Sequence, residues 1–237
     1  MVSLESRQIN LWETPIFLVM NPNHSKIKKG LTDYIQSQAE MQTKSIDSRV
    51  AAHLKANLSE SKFDFLTRNN KHVAELSKFV HDAALKVITE INRKTWEKKY
   101  SVCKPEIDIH ESWYHVTKTH GSHGAHSHGG CSWCGIYYID VGDRSVSSPF
   151  NKAYTYFGES VYTTKGGKNR FYRPFSNTYY DPGLDWQSLS DTFCPEPVEG
   201  MLILFPSYLM HSGEPYVGEN DRVLVAMNMK VSLSEVK

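Results

Sequence analysis

Gly200-Met201-Leu202-Ile203-Leu204-Phe205-Pro206-Ser207-Tyr208-Leu209-Met210-His211 reads as an apolar strand that breaks at Phe-Pro-Ser and carries a histidine past its end. Upstream stands a spaced pair, His126-Ser127-His128, and after it the strand-like Cys134-Gly135-Ile136-Tyr137-Tyr138-Ile139-Asp140. Downstream, Arg222 opens a further strand from Val223 to Met229. An open transition-metal site needs a few imidazoles or carboxylates converging from rigid elements, with positions left for other ligands. Residues separated by one share a strand face, so His126 and His128 can offer both rings to one ion. A third ligand must come from elsewhere, and His211 is the only histidine after His128. If the Arg222 strand pairs beside the His211 strand, its guanidinium can grip a carboxylate inside a barrel through two parallel hydrogen bonds.

The ordinary readings compete at each point. His120, His123, His126 and His128 crowd a Gly/Ser-rich stretch that could be a surface loop. Within it His126 and His128 are favoured because they lie closest to the Tyr137 strand, leaving His120 and His123 as neighbours of the site or loop residues. Arg222 could pair with Asp221 or Glu219 on the surface, and such pairs contribute little. Alternation argues otherwise: Arg222, Leu224, Ala226 and Asn228 share one face, small and mixed as a pocket wall is, while Val223, Val225, Met227 and Met229 share the other. Cys131 and Cys134 raise a structural zinc site, but no second Cys-x-x-Cys exists, and packing at the start of a strand is the preferred reading.

Taken together, Leu11 to Phe17, Ser112-Trp113, His126-Ser127-His128, Gly135 to Tyr138, Phe205-Pro206-Ser207 to His211, and Arg222 to Asn228 resemble the Fe(II)- and 2-oxoglutarate-dependent oxygenases. The likeness is to the small phage and bacterial members related to prolyl hydroxylases. It implies a double-stranded β-helix of the jelly-roll or cupin-like kind, iron and 2-oxoglutarate as cofactors, dioxygen, and a hydroxylated substrate, with peptidyl or prolyl side chains as candidates. It also implies metal ligation by His126, His128 and His211, and cosubstrate binding by Arg222, Tyr138 and Asn228. Two departures stand out. The superfamily's usual His-x-Asp…His has His128 at the carboxylate position, so either three histidines hold the iron, the preferred reading, or a carboxylate from elsewhere completes the site. Leu224 stands where many relatives carry a serine or threonine, and Tyr138 is the replacement the resemblance suggests. A cupin-like metalloenzyme without 2-oxoglutarate, and a non-catalytic metal-binding module, are the competing functions.

A chain of 237 residues suits one domain. Residues 1–100 are expected to give a strand and helical support, and 101–237 the barrel core. From Ser25 to Tyr100 the signal is helical: Val73, Leu76, Phe79, Val80, Ala83, Ala84, Val87, Ile88 and Ile91 recur at helix spacing after Asn70, a candidate cap. Strands are expected at residues 11–20, with Pro15 suiting an edge, and around Ile107–Thr117, Trp133–Val141, Ala153–Phe157, Met201–Phe205 and Arg222–Val231. Helices first and strands after predict an α+β fold with the helices packed on the sheet. The aromatic-rich stretch 142–197 is too long for an ordinary connection and reads as a lid or binding loop; its Lys165 to Arg170 run reads as a solvated tip. A net charge of +1 offers no general attraction for nucleic acid. Four cysteines, no leader-like apolar segment and no apolar run long enough for a bilayer predict a soluble protein of a reducing compartment; the resemblance implies the cytoplasm of a bacterial or phage-infected cell, with a homodimer left open.

Overall fold

The computed structural model describes residues 14–39, 55–99, 103–143, 166–174 and 192–235. Its frame is a single curled sheet. Strands β1 (Phe17–Met20), β2 (Lys55–Glu60), β3 (Cys103–His126), β4 (Trp133–Asp140), β5 (Asn169–Tyr172), β6 (Thr192–Phe193), β7 (Met201–Pro206), β8 (His211–Gly213) and β9 (Arg222–Glu235) run in the order β1-β7-β4-β9-β3-β8-β5-β6, with β2 paired to β3. The pairings between these strands are antiparallel. Helices α1 (His24–Ala39) and α2 (Lys71–Lys99) cover one face, and the architecture is the double-stranded β-helix with helical support.

Strand β3 joins the two halves of the curled sheet. Its first part pairs with β9 from Cys103 to Thr117, and its last part turns to pair with β8 at His123 and His126. His120 sits at the corner with φ of 64°, its N–H donating to the Tyr216 carbonyl at 2.7 Å. A bulge between Ile109 and Glu111 adds one residue to β3 and changes which parity faces the helices. Before it Ile107 and Ile109 pack towards the helices; after it Tyr114 and Val116 do, and Trp113 turns to the opposite face. The extra residue therefore aims Trp113, His115 and Thr117 at the side of the sheet where Arg222 lies.

Helix α2 forms where the apolar period requires it. Asn70 Oδ1 accepts the N–H groups of His72 and Val73 at 2.9 and 3.2 Å, satisfying donors that the helix start leaves orphaned. Val73, Leu76, Val80, Ala84 and Ile88 are buried against Ile27, Leu31 and Ile35 of α1 and the apolar face of β9; Ile91 is instead exposed. Among the described residues no helix is long and apolar enough to cross a membrane.

Three expectations change. The helical span from Ser25 to Tyr100 is interrupted by β2: Lys55 to Glu60 carries no strong strand pattern, and pairing with the exposed edge of β3 decides its conformation. Among the described residues the early strand is Phe17–Met20 on the outer edge, after Pro15; residues 11–13 lie outside them. The stretch 142–197 is not all connection, since β5 and β6 lie in the sheet. The anticipated strand at Ala153–Phe157 and most of the lid aromatics (Tyr154, Tyr156, Phe157, Tyr162, Tyr179, Tyr180 and Trp186) lie outside the described residues.

Candidate metal centre

His126 ends β3 and His211 begins β8, and the two are direct partners across the strands. His128 lies two residues past the end of β3, not on the strand itself, its backbone N–H donating to the Ser207 carbonyl at 3.1 Å. The loop thus folds His128 back over the Phe-Pro-Ser corner and brings its ring to the other two. Ring centroids are 4.3 Å apart for His126–His211, 5.0 Å for His126–His128 and 5.2 Å for His128–His211. One ligand atom from each lies within 4.8 Å of the others, so the three can share one ion.

Tautomer and charge suit ligation. His126 Nδ1 is 2.8 Å from the Gly124 carbonyl and His211 Nδ1 is 3.0 Å from the Leu209 carbonyl. A carbonyl can only accept, so each Nδ1 carries a proton, and in the neutral ring Nε2 keeps its lone pair for a metal. Burial first, and the neighbouring His126 second, hold His128 down at about 4 and His211 at about 3. Both are neutral at physiological pH, the form that ligates. Phe205 and Phe171 pack on the His211 ring at 4.8 and 6.0 Å and limit its rotation. His123 stacks on His126 at 4.1 Å, and His120 is at the β3 corner, so neither belongs to the converging triad.

Arg222 lines the same cavity as the triad and is 4 % exposed. Its strand does not pair beside the His211 strand as anticipated; β3 lies between them, bonded to both, and sheet curvature brings the two side chains to one cavity. Arg222 Nη2 donates to Asn169 Oδ1 at 2.9 Å, the Tyr138 hydroxyl donates to the same oxygen at 2.6 Å, and the guanidinium carbon sits 5.2 Å from the Tyr138 ring centre. Tyr137 points the opposite way, towards the helices, its hydroxyl accepting from Asn21 Nδ2 at 3.0 Å. Asn228 shares the Arg222 face but lies at the far end, with Nδ2 donating to Glu111 and Oδ1 accepting from the Cys134 thiol. Leu224 lines the cavity.

Asn169 is the residue that sequence reasoning missed, because it belongs to the run taken as a solvated tip. Gly166, Gly167, Lys168 and Asn169 are buried, Lys168 paired with Glu196 and Arg170 with Glu214. The signal was the Gly-Gly pair: Gly167 has φ of 69°, and a Cβ there would meet Tyr216 at 2.9 Å and the Arg222 Cδ at 3.4 Å. Cys131 and Cys134 stand with sulfurs 3.9 Å apart, outside the histidine group that can hold metal.

The family model described as "Putative 2OG-Fe(II) oxygenase" matches residues 111–228, which contain all three histidines and Arg222. This chain belongs to the Fe(II)- and 2-oxoglutarate-dependent oxygenase superfamily. No curated protein matches the sequence. Among solved structures, the oxygenase fold is similar to a Pseudomonas putida prolyl-4-hydroxylase, with 12% identity, TM-score 0.51, and coverage of 91% of this chain and 92% of that one. It is also similar to a Trichoplax adhaerens prolyl hydroxylase in complex with a hypoxia inducible factor peptide fragment, at 9% identity and TM-score 0.52 over 90% and 83% of the chains. Streptomyces hygroscopicus HygX with nickel and 2-oxoglutarate bound gives 12% identity and TM-score 0.51 over 92% and 82%. Fe(II) and 2-oxoglutarate are the cofactors of this oxygenase superfamily, and imidazole donors suit iron.

Proposed function

We propose that the protein is a 2-oxoglutarate-dependent hydroxylase in which His126, His128 and His211 hold Fe(II) and Arg222 receives the distal carboxylate of 2-oxoglutarate. The convergence of three imidazoles and a buried guanidinium on one cavity carries this reading. Iron held by these residues would supply the oxidative decarboxylation of 2-oxoglutarate by dioxygen, one oxygen atom entering succinate as CO2 leaves and the other entering a substrate C–H bond as a hydroxyl. The protein's share is geometry. The Gly124 and Leu209 carbonyls orient two ligands, Asn169 fixes one edge of the Arg222 fork, and Phe171 and Phe205 keep water from the His211 side. With His128 in the carboxylate position, three neutral ligands leave the ion its full charge, which the 2-oxoglutarate dianion balances. Tyr138 stands over the guanidinium, and its hydroxyl, donating to Asn169, steadies that residue beside Arg222 and is not free to donate to the carboxylate; Asn228, held by Glu111 and Cys134, lies outside the residues that line the cavity.

A peptidyl or prolyl side chain is the proposed substrate, supported by the prolyl hydroxylases among the fold neighbours, one of them in complex with a peptide. The test is succinate release from 2-oxoglutarate by the Fe(II)-loaded protein in air, with and without proline-containing peptides. Succinate above the metal-free control, increased by a peptide that gains one oxygen atom in mass, is the expected result. No succinate under any condition with iron and oxygen present would overturn the reading in favour of metal chemistry without 2-oxoglutarate.

A further inference from the structure

We infer that Thr117 supplies the hydroxyl that hydrogen-bonds the distal carboxylate of the cosubstrate, the function left open by Leu224; this rests on the cosubstrate reading above. Thr117 is the direct partner of Arg222 across β3 and β9. Side chains directly opposite on antiparallel strands project to the same face with Cβ atoms about 5 Å apart. Both residues line the cavity that contains the three histidines. Thr117 is 2 % exposed, and its Oγ1 is shielded from solvent with no hydrogen-bond partner among the described residues.

A hydroxyl in that condition carries an uncompensated desolvation cost, which a protein keeps at few positions. Valine would fill the same volume without it. The methyl group has a defined place: a Cβ at Gly121 would stand 2.5 Å from Thr117 Cγ2, so Gly121 leaves the space that the methyl occupies. Glycine on one side of the threonine and arginine on the other make a position where only the hydroxyl is unaccounted for. A carboxylate seated on the Arg222 fork accepts several hydrogen bonds, and a short hydroxyl donor beside the guanidinium adds a charge-assisted one. The Thr117 position thereby does from β3 what a serine or threonine two residues after the arginine does from β9 in many relatives, and Leu224 is free to be apolar. The β3 bulge is what makes this possible, since a register one residue different would turn Thr117 towards the helices.

The experiment measures binding, not turnover, on full-length protein loaded with Zn(II), which is redox-inert. Calorimetric titration with 2-oxoglutarate is compared for wild type, Thr117→Val and Thr117→Ser, and repeated with 2-oxobutyrate, which lacks the distal carboxylate. Thr117→Val is expected to weaken 2-oxoglutarate about tenfold or more, Thr117→Ser to recover most of that loss, and 2-oxobutyrate to bind wild type and Thr117→Val equally. The metal-free melting temperature of Thr117→Val should equal or exceed that of wild type, because the substitution removes an unpaired buried hydroxyl. Unchanged 2-oxoglutarate affinity in Thr117→Val, equal weakening of both ligands, or a lowered metal-free melting temperature would each overturn the assignment. Wild type that binds metal but no 2-oxoglutarate would instead remove the cosubstrate reading, and Thr117 with it.

Discussion

The two faces of β9 differ as sharply as two proteins might. Val223, Val225, Met227 and Met229 pack into one apolar cluster with α1 and α2, whereas Arg222, Leu224 and Ala226 form part of the cavity wall opposite, which reaches His126 and His211 through β3 and β8. Alternation along one strand thus separates stability from chemistry by a single residue step. The helix-backed face gains from area buried. The cavity face gives up some of that gain: neutral histidines, a buried guanidinium and an unpaired threonine hydroxyl are all costly to desolvate. Substitutions on the two faces should therefore separate cleanly in what they change.

The largest separation is expected at His211. His211→Ala removes a ligand and should abolish tight Fe(II) binding while the metal-free protein keeps its far-ultraviolet circular dichroism; unchanged iron stoichiometry and affinity would remove His211 from the site. In the same assay His128→Asp, which restores the superfamily's usual ligand set, should retain iron and His128→Leu should not. Arg222→Ala comes next. Removing one partner of a buried, hydrogen-bonded charge pair costs about 3–5 kcal/mol, so 2-oxoglutarate should bind at least about a hundredfold more weakly with iron binding almost intact. Lysine should recover only part, lacking the planar fork.

Leu76→Ala is the counterpart on the helix-backed face. A fully buried leucine in the α2 contact should cost about 3 kcal/mol of folding stability by the cavity it leaves, measured by denaturant titration, with cosubstrate affinity unchanged. If it weakened 2-oxoglutarate as much as Arg222→Ala does, the faces would not be separate. The smallest effect concerns pH. His128 and His211 have folded values of about 4 and 3, below an unfolded value near 6.5, so the unfolded chain takes up protons first as the medium is acidified. Their contribution is present above about pH 6.5 and is lost progressively as the pH falls towards 3. The metal-free protein should lose stability through that window, and His211→Asn should flatten part of the slope.

Much of this site was legible in the chain because its parts are local. The α2 period, the Asn70 cap and the alternation of β9 follow from side-chain spacing alone, and they correspond to a buried helix face, a side-chain cap and two distinct strand faces. Asn169 was hidden for a physical reason: a Lys-Gly-Gly-Lys-Asn-Arg run is hydrophilic, and only the pairing of Lys168 with Glu196 and Arg170 with Glu214 makes it cheap to bury. Thr117 was hidden because one residue of bulge, with no marker in the sequence, reverses the parity of β3.

Composition and spacing by themselves determined that an α+β chain would present a histidine pair, a distant histidine and an arginine on successive strand ends. Short-range periodicity is enough for that, since it needs only the geometry of one element. Which histidines meet, that β3 rather than direct pairing links the His211 and Arg222 strands, and which residues stand beside the guanidinium were decided by tertiary structure alone. These depend on sheet curvature, on a bulge and on the folding of His128 back onto Ser207, and contacts between residues about a hundred positions apart leave no local periodicity to read.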